Sequence, residues 1–330
     1  MNKTFIYGIG NALVDSEYKV SDDELNQLNL TKGCMELNDI NNHSKLSNQL
    51  KKKHGVVKMM PGGSVANSLY TLAQFGEDVT FTGRVSKDNV GATFEESLKF
   101  VGMQSAIKQV DSGISGECIV LITPDHERTM YTYLGVSSDL SKEDISKESI
   151  INAEYLLIEG YLVTSDETKN VALHCLDIAN ENNIKKIITL SDPNVVNFFK
   201  ENMIELINKK FDIIFCNQQE AYNISSSNNI KDSINFLNKF SDEIIITSGS
   251  DGAYVYQDSS LTHVTSDNVT PVDLTGAGDM FLAAYLFSKN KNKTTSESIS
   301  FANKCSGRII QTYGAKFDDV SEYEALYSEL

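Results

Sequence analysis

Residues 273–279, with the sequence DLTGAGD, have the types and spacing of an anion-binding turn. Gly276, Ala277 and Gly278 carry little or no side chain, so their backbone N–H groups can approach a ligand closely. An apolar, alanine-rich stretch begins at Met280, which predicts that the turn opens a helix. Since free N–H groups and the helix dipole favour negative charge at a helix start, the turn is predicted to hold an anion.

Asp279 lies in the first turn of this predicted helix, beside the predicted anion site. A carboxylate repels an anion, so this position is unfavourable if the turn only binds. It is favourable if Asp279 removes a proton from a hydroxyl while the turn stabilises charge on a phosphoryl group. The alternative is an ordinary glycine-rich turn in which Asp279 only begins the helix, where its charge is stabilising.

A second glycine site, Gly62 and Gly63, precedes another predicted helix. A glycine pair allows close backbone approach to a ligand, and Asn67 would point from the first helical turn toward the same place. The alternative is a flexible turn in which Ser64 caps the helix.

The first predicted strand, residues 4–9, leads into a glycine pattern that suggests a dinucleotide fingerprint. The pattern fails because Leu13 stands where the third glycine is required. Asn11 and Asp15 instead follow the carboxyl end of the strand, where ligands bind in open α/β sheets. Both side chains suit hydrogen bonds to a polyol.

Polar residues follow two later strands in the same way. Asn217 and Glu220 come directly after the predicted strand 212–216, and residues 247–252 follow another strand. Asn217 and Glu220 are either a helix cap with its capping-box partner or a site where Glu220 organises Mg²⁺ through water. The 247–252 segment is either a turn or a loop that holds nucleotide phosphates.

Short apolar runs alternate with helical patterns and must position these residues. Strands are predicted at 4–9, 79–85, 155–158, 186–190, 212–216 and 243–247. Helices are predicted at 64–75, 90–101, 167–180, 197–209 and 230–239. This alternation predicts an α/β fold with a mainly parallel central sheet that helices cover on both faces.

Two segments, about 16–37 and 105–134, interrupt this alternation. They contain strand-like pieces at 34–37, 117–123 and 129–134 without intervening helices. We expect a small antiparallel sheet that could act as a lid over a cleft, within one domain that spans residues 1–330. The alternative is a pair of hairpins without a function.

The composition is that of a soluble globular protein, since 41% of the 330 residues are hydrophobic and 22% are charged. The formal net charge of −16 disfavours nucleic acid and anionic membranes as partners. Five cysteines are scattered without a CxxC pair, which is typical of reduced thiols. The first residues lack a signal-peptide pattern, so a cytoplasmic location is expected.

Taken together, these segments resemble the ribokinase (PfkB-type) family of sugar and nucleoside kinases. The two family signatures appear as Gly62-Gly63 with Asn67 and as residues 273–279, in the expected order. The family often has threonine at the position of Leu274, a departure that leaves the glycines and Asp279 intact.

The resemblance covers nearly the whole chain, from Gly8 to Ala315. Segments 123–130, 159–162 and 190–193 resemble a bacterial adenosine-kinase-like branch of the family. The resemblance implies a ribokinase-like three-layer α/β/α domain with a small β lid.

The implied activity is ATP-dependent transfer of the γ-phosphoryl group to a primary hydroxyl. Asp279 would deprotonate that hydroxyl, and the amides of Gly276, Ala277 and Gly278 would stabilise the developing charge. Arg128, from the lid, would reach the transferring phosphate. These roles suit phosphoryl transfer, which depends chiefly on positioning and charge stabilisation.

The resemblance also implies the binding residues. The substrate hydroxyls would contact Asn11, Asp15, Gly62, Gly63 and Asn67. ATP would contact Asn217, Glu220, Thr247, Gly249, Gly252 and Asn303. Glu220 would order Mg²⁺ through water, and Asp273 would be a ligand for a monovalent cation such as K⁺.

Adenosine is the expected substrate, with phosphorylation at its 5′-hydroxyl to give AMP. The alternative within the class is a free-sugar kinase for ribose, fructose or a related sugar. A non-catalytic nucleoside- or nucleotide-binding protein is the alternative from another class, and a dehydrogenase is a distant third. The expected assembly is a monomer or a homodimer.

Overall fold

Strands and helices alternate along most of the chain. The computed structural model describes residues 3–33, 35–56, 58–125 and 127–330. The strands are β1 (Thr4–Ile9), β2 (Leu13–Lys19), β3 (Met35–Leu37), β4 (Lys58–Gly62), β5 (Val79–Thr82), β6 (Arg84–Ser86), β7 (Gln104–Ser105), β8 (Lys108–Val110), β9 (Gly116–Ile122), β10 (Arg128–Tyr133), β11 (Ala153–Glu159), β12 (Lys185–Thr189), β13 (Phe211–Asn217), β14 (Ser241–Thr247), β15 (Ala253–Gln257) and β16 (Ser260–Val264).

The helices cover both faces of the large sheet and the outer face of a smaller one. They are α1 (Asp22–Gln27), α2 (Ile40–His54), α3 (Ser64–Gln74), α4 (Asn89–Phe100), α5 (Lys147–Ile151), α6 (Asp166–Glu181), α7 (Pro193–Phe198), α8 (Lys200–Ile207), α9 (Gln218–Ser225), α10 (Ile230–Leu237), α11 (Ala277–Asn290), α12 (Thr295–Ile309) and α13 (Ser321–Tyr327). Short 3-10 helices lie at Gly135–Asp139, Lys142–Asp144, Gly160–Thr164 and Gly249–Asp251.

The large sheet has nine strands in the order β16-β15-β14-β13-β12-β11-β1-β5-β7. Its strands pair in parallel from β7 to β14, and β15 and β16 continue it as an antiparallel hairpin. The carboxyl ends of β1 and β11 to β14 therefore meet along one edge. This confirms the predicted α/β fold with a mainly parallel central sheet.

Alternate residues of each central strand belong to two separate cores. Ile213 and Phe215 of β13 pack with α11 and α12 on one face, in a cluster that includes Phe281. Ile214 and Cys216 pack on the other face, with α6 and α9 among the helices that cover it. A strand that is buried on both faces reads as a continuous apolar run, which is why the sequence indicated these strands clearly.

The smaller sheet, called the lid sheet below, has five strands in the order β3-β10-β9-β2-β4. Pairs β9–β10 and β2–β4 are antiparallel, whereas β2–β9 and β3–β10 are parallel, so the predicted antiparallel sheet is in fact mixed. Its outer face packs against α1 and α2 through Tyr18, Leu25, Leu50 and Ile119. Its other face is turned toward the edge where the central strands end.

The first lid segment extends beyond its predicted boundaries, and the second is shorter than predicted. The first spans β2 to β4 and contains α1 and α2, which the sequence analysis missed. In the second, β7 belongs to the large sheet and β8 pairs with β6 in a separate two-stranded sheet. The predicted lid strand 34–37 begins at Cys34, and the segment 123–130 includes His126; both residues lie outside the described part of the chain.

Two predicted elements are each divided in the structure. The predicted strand 79–85 is β5 and β6, separated at Gly83, where a side chain would meet the Phe81 ring at 2.9 Å and the Gly10 carbonyl oxygen at 3.1 Å. The predicted helix 197–209 is α7 and α8, separated at Phe199, whose ψ of 31° is not helical. Within the described residues, no helix combines the length and apolarity needed to cross a bilayer.

Candidate active site

A cavity of about 540 Å³ lies between the lid sheet and the carboxyl ends of the central strands. Most of the predicted site residues line it, although their positions in the chain are far apart. They are Asn11, Asp15, Gly63, Asn67, Arg128, Asn217, Glu220, Thr247, Gly249, Gly276, Ala277, Gly278 and Asp279. The cavity is therefore the candidate active site.

The glycine turn before α11 has the backbone geometry of an anion site. Gly276 caps α11 with a φ of 73°, which L-residues with a side chain rarely adopt. It is also packed closely, since a side chain there would lie 2.6 Å from Ala315 Cα. Gly278 is different, because a side chain there would meet only the Phe215 ring, at 3.7 Å. The backbone beside Gly278 is therefore open to a ligand.

The side chain of Asp279 is held in the cavity by residues of α3, the helix that follows Gly62 and Gly63. The Ser64 hydroxyl donates to Asp279 Oδ1 at 2.6 Å, and Asn67 Nδ2 donates to Oδ2 at 2.9 Å. Burial raises the pKa of Asp279 to about 6, although both hydrogen bonds and Lys316 oppose the rise. A carboxylate with this pKa is ionised at neutral pH and can still accept a proton, as a general base must.

The N-cap of α3 is Gly63 and not Ser64, the cap in the alternative considered for this turn. Gly63, with a φ of 92°, is the cap, and it makes no side-chain cap hydrogen bond. Ser64 is the first helical residue, so its hydroxyl is free to donate to Asp279. The turn therefore contributes to the site rather than only to the helix.

Asp15 reaches the cavity from strand β2 of the lid sheet. Its carboxylate lies against Gly62, where a side chain would approach Asp15 Oδ2 to 2.5 Å. Gly62 does not line the cavity, so the structure indicates that its role is to make room for Asp15. Burial raises the pKa of Asp15 to about 6, while the nearby charge of Arg128 opposes the rise.

Glu159, at the end of β11, is a cavity residue that the sequence analysis did not assign to the site. Its carboxylate accepts hydrogen bonds from the backbone N–H groups of Asn11, at 2.6 Å, and Val65, at 3.3 Å. Burial raises its pKa to about 7. Glu159 thus fixes the loop after β1 relative to the start of α3. Its position at the carboxyl end of a predicted strand could have indicated from the sequence that Glu159 belongs to the site.

Arg128 and Asp273 form a pair that the predicted roles did not include. Arg128 Nη1 donates to both oxygens of Asp273 at 2.5 Å, and Nη2 donates to Glu17 Oε1 at 3.3 Å. The Arg128 guanidinium therefore binds two carboxylates, whereas the predicted role gave it only a contact with the transferring phosphate. Asp273 also accepts from the backbone of Thr275 and Gly314. Both of its oxygens are engaged, so a monovalent cation would have to displace Arg128.

Asn217 and Glu220 form the capping box that was one of the two alternatives. Asn217 Oδ1 accepts from the Glu220 backbone at 2.8 Å, and the Glu220 carboxylate accepts from the Asn217 backbone at 2.9 Å. Burial raises the pKa of Glu220 to about 8. The side chain of Glu220 therefore caps α9 and also lines the cavity.

The predicted nucleotide residues divide into two groups. Thr247 and Gly249 line the cavity at the end of β14. Gly252 and Asn303 do not: Gly252 packs against the backbone of Val264, and Asn303 Nδ2 donates to the Val264 carbonyl oxygen at 3.0 Å. The structure thus gives these two residues a role in holding the chain after β16.

Comparison with known proteins identifies the family. Residues 31–321 match the model of the pfkB family of carbohydrate kinases. A ribokinase from Staphylococcus aureus (strain COL) is 24% identical over 269 residues, which cover 78% of this chain and 84% of the relative.

Two solved structures cover essentially the whole fold. Adenosine kinase from Sinorhizobium meliloti has a TM-score of 0.91 and 25% identity, with 99% of each chain covered. A probable sugar kinase from Rhizobium etli CFN 42 has a TM-score of 0.92 and 25% identity, with 100% of each chain covered. The names of these relatives include both nucleoside and sugar kinases. The chain belongs to the pfkB family of carbohydrate kinases, and it is a phosphotransferase that acts on a hydroxyl group of a nucleoside or a sugar.

Proposed function

We propose that this protein transfers the γ-phosphoryl group of ATP to the 5′-hydroxyl of adenosine, which yields AMP. Kinases of this family use ATP with Mg²⁺, and the ATP–magnesium complex supplies the phosphoryl group. The observation that carries the nucleoside assignment is a row of lid-sheet residues that starts at Asp15 and becomes apolar.

The row crosses neighbouring strands of the lid sheet in register. Asp15 pairs with Cys118, Cys118 with Thr132, and Thr132 with Leu37. All of them line the cavity, together with Met35 and Met130. Because neighbouring strands are about 4.8 Å apart, a ribose bound at Asp15 would place its base over Cys118 and Thr132. A free sugar bound at Asp15 would leave the rest of this row uncovered, whereas the base of a nucleoside would bury it.

The proposed proton transfer uses Asp279. The 5′-hydroxyl of the bound nucleoside donates its proton to the Asp279 carboxylate as its oxygen bonds to the γ-phosphorus of ATP, and the bond from that phosphorus to the β–γ bridging oxygen breaks to release ADP. The backbone N–H groups from Gly276 to Gly278 stabilise the negative charge that develops there, and losing one such donor typically costs about 10²–10³-fold in rate. Ser64 and Asn67 keep the Asp279 carboxylate oriented.

Asp15 and Asn67 are the proposed ligands of the ribose hydroxyls. Within the described part of the chain, the buried Oδ1 atom of Asn67 has no hydrogen-bond partner, whereas its Nδ2 is engaged by Asp279. An unpartnered buried acceptor is unfavourable unless a ligand supplies a donor. The Asp15 carboxylate offers further acceptors at the start of the apolar row.

The nucleotide side of the proposal concerns Arg128, Asp273 and Glu220. Contact of Arg128 with the transferring phosphate requires that it exchange the Asp273 carboxylate for phosphate oxygens, which suit a guanidinium equally well. The same exchange would free Asp273 for a monovalent cation. Glu220 would contact Mg²⁺ through water, as suits a cation that keeps most of its hydration shell.

A free-sugar kinase is the second candidate, because the Staphylococcus aureus relative is a ribokinase. A non-catalytic binding protein is disfavoured by Asp279, since a carboxylate beside an anion site opposes binding and helps only in proton transfer. We also propose that the protein acts in the cytosol, since Cys118, Cys175, Cys216 and Cys305 are buried free thiols.

A steady-state screen tests the proposed substrate. ADP formation is measured with ATP, Mg²⁺ and, separately, adenosine, inosine, guanosine, ribose and fructose. We expect the highest kcat/KM with adenosine. Turnover of the free sugars alone would overturn the nucleoside assignment and leave the kinase assignment intact.

A further inference from the structure

The segment 313–317, after α12, connects the two glycine turns of the active site. Gly314 N donates to Asp273 Oδ2 at 2.6 Å, and Ala315 packs against Gly276. Lys316 Nζ donates to the carbonyl oxygen of Pro61, in strand β4, at 2.6 Å. The segment therefore contacts the anion turn on one side and the turn beside Asp15 on the other.

Lys316 is buried, with 5% of its surface exposed. Its ammonium lies 4.6 Å from the centre of the Tyr70 ring on α3 and forms no salt bridge with any carboxylate among the described residues. Burial lowers its pKa to about 8, and Asp15 and Asp279 act against that fall. A buried ammonium without a direct ionic partner is costly, so a function that acts through space is the simplest reason to keep it.

The groups around Asp279 are predominantly acidic. Asp15 of β2, Glu159 of β11 and Glu220 of α9 line the same cavity as Asp279, whereas α3 supplies the neutral Ser64 and Asn67. Like charges that are close together disfavour simultaneous ionisation. Arg128, which also lines the cavity, is engaged by Asp273 and Glu17. Lys316 contacts Pro61, which precedes Gly62, the glycine against which the Asp15 carboxylate lies. The charge of Lys316 lowers the pKa of both Asp15 and Asp279.

We propose that Lys316 is a positioning residue, which holds Pro61 and supplies the positive charge that allows Asp15 and Asp279 to be ionised together. The inference rests on the proposed function, because it assigns these carboxylates to substrate binding and proton transfer. It predicts that removing the charge, and not the hydrogen bond, is what changes the acid–base behaviour of the site.

Lys316→Gln, Lys316→Met and Lys316→Arg separate the charge from the hydrogen bond. Gln can still donate a hydrogen bond to Pro61 but is neutral. Met can neither donate a hydrogen bond nor carry a charge, and Arg keeps the charge. Lys58→Met is the matched control, since Lys58 Nζ donates to the Tyr313 carbonyl oxygen of the same segment, at 3.1 Å. The carboxyl groups of Asp15 and Asp279 are titrated by ¹³C NMR, with Asp15→Asn and Asp279→Asn for assignment, and kcat/KM is measured against pH.

We expect the carboxyl titration and the acid limb of kcat/KM to move up by about one pH unit in the Gln and Met variants. The Arg and Lys58→Met variants should follow the wild-type protein. Wild-type titration in the Gln and Met variants, or an Arg variant that behaves like Met, would overturn the inference. Because the NMR titration needs no turnover, it decides the role of Lys316 even if no acceptor is phosphorylated, in which case only the proposed function fails.

Discussion

Asp279 is the residue on which the proposed chemistry depends. We predict that Asp279→Asn lowers kcat by about 10²–10⁴-fold, the usual contribution of a general base, and leaves nucleoside affinity nearly unchanged. The substitution is nearly isosteric, and Ser64 and Asn67 can still contact the new amide. Single-turnover ADP formation measures the rate, and calorimetric titration with adenosine measures binding.

The thermal unfolding midpoint of Asp279→Asn is the control for folding. A well-folded variant with a kcat within tenfold of the wild-type value would remove the proposed base. Glu159→Gln provides a comparison, because Glu159 also lines the cavity but is engaged by backbone N–H groups. Its kcat should fall less than that of Asp279→Asn.

Asp15 is the second residue with a separable role. We predict that Asp15→Ala raises the KM for the nucleoside by about 10–100-fold, because a hydrogen bond to a charged group contributes about 1.5–3 kcal/mol. The KM for ATP should stay within about twofold, since Asp15 lies on the lid-sheet side of the cavity, away from Thr247 and Gly249. Steady-state kinetics with each substrate varied in turn gives both values, and an unchanged nucleoside KM would contradict the proposed ribose position.

The sequence predicted which residues reach the cavity better than it predicted their partners. Asn11, Asp15, Asn67 and Asp279 follow strand ends or open helices, and spacing reveals such positions. The pairing of Arg128 with Asp273 joins residues that are 145 positions apart, and no local pattern encodes it. Residue type alone could not show that the Arg128 guanidinium is already engaged by carboxylates.

At the scale of elements, the start of α11 allows folding and catalysis to be tested separately. Gly276→Ala places a side chain at a φ of 73° and against Ala315, so we predict a loss of about 2 kcal/mol in the free energy of unfolding. Gly278→Ala meets only the Phe215 ring, so its stability should match the wild-type protein. Urea unfolding measures both.

In Gly278→Ala, unlike Gly276→Ala, activity should fall although the free energy of unfolding does not. Gly278 and Phe215 both line the cavity, so a methyl group at Gly278 occupies space that the proposed phosphoryl group needs. We predict a loss of at least about tenfold in kcat/KM for ATP in Gly278→Ala, despite its normal stability. Full activity in this variant would mean that the turn does not hold the phosphoryl group.

Elements with a clear apolar pattern in the sequence were predicted, whereas elements that depend on tertiary contacts were not. Strands β11 to β14 are buried on both faces and read as apolar runs, so the sequence located them. Strand β4 contains proline and glycine, which locally indicate a turn, and it pairs only because β2 lies beside it. Helix α2 is mostly polar and is stabilised by the outer face of the lid sheet.

For the whole molecule, buried carboxylates make stability depend on pH in an unusual direction. The pKa values of Asp15 and Asp279 rise to about 6, of Glu159 to about 7 and of Glu220 to about 8. Each folded-state pKa exceeds the unfolded value, so the folded protein binds protons more tightly between about pH 4 and 8. We predict that the free energy of unfolding of the ligand-free protein falls as pH rises from 5 to 8.

The expected size is about 1–3 kcal/mol for each carboxylate. Urea unfolding at pH 5, 6, 7 and 8 measures the dependence. The double variant Asp15→Asn/Asp279→Asn should show a shallower slope between pH 5 and 7. A free energy of unfolding that increases over this range would show that these groups are not buried as described.

The first excursion of the chain into the lid sheet crosses at residues 10–12, between β1 and β2, and crosses back at the junction of β4 and α3, and a second excursion supplies β9 and β10. Asn11 lies in the first crossing, and Gly63 and Ser64 form the second. An outward rotation of the lid sheet would bend the chain at these two crossings and at both ends of the segment that carries β9 and β10, and it would carry Asp15 away from Asn67. Such a rotation would separate the two proposed ligands of the ribose, so we expect opening of the cavity and release of the product to occur together.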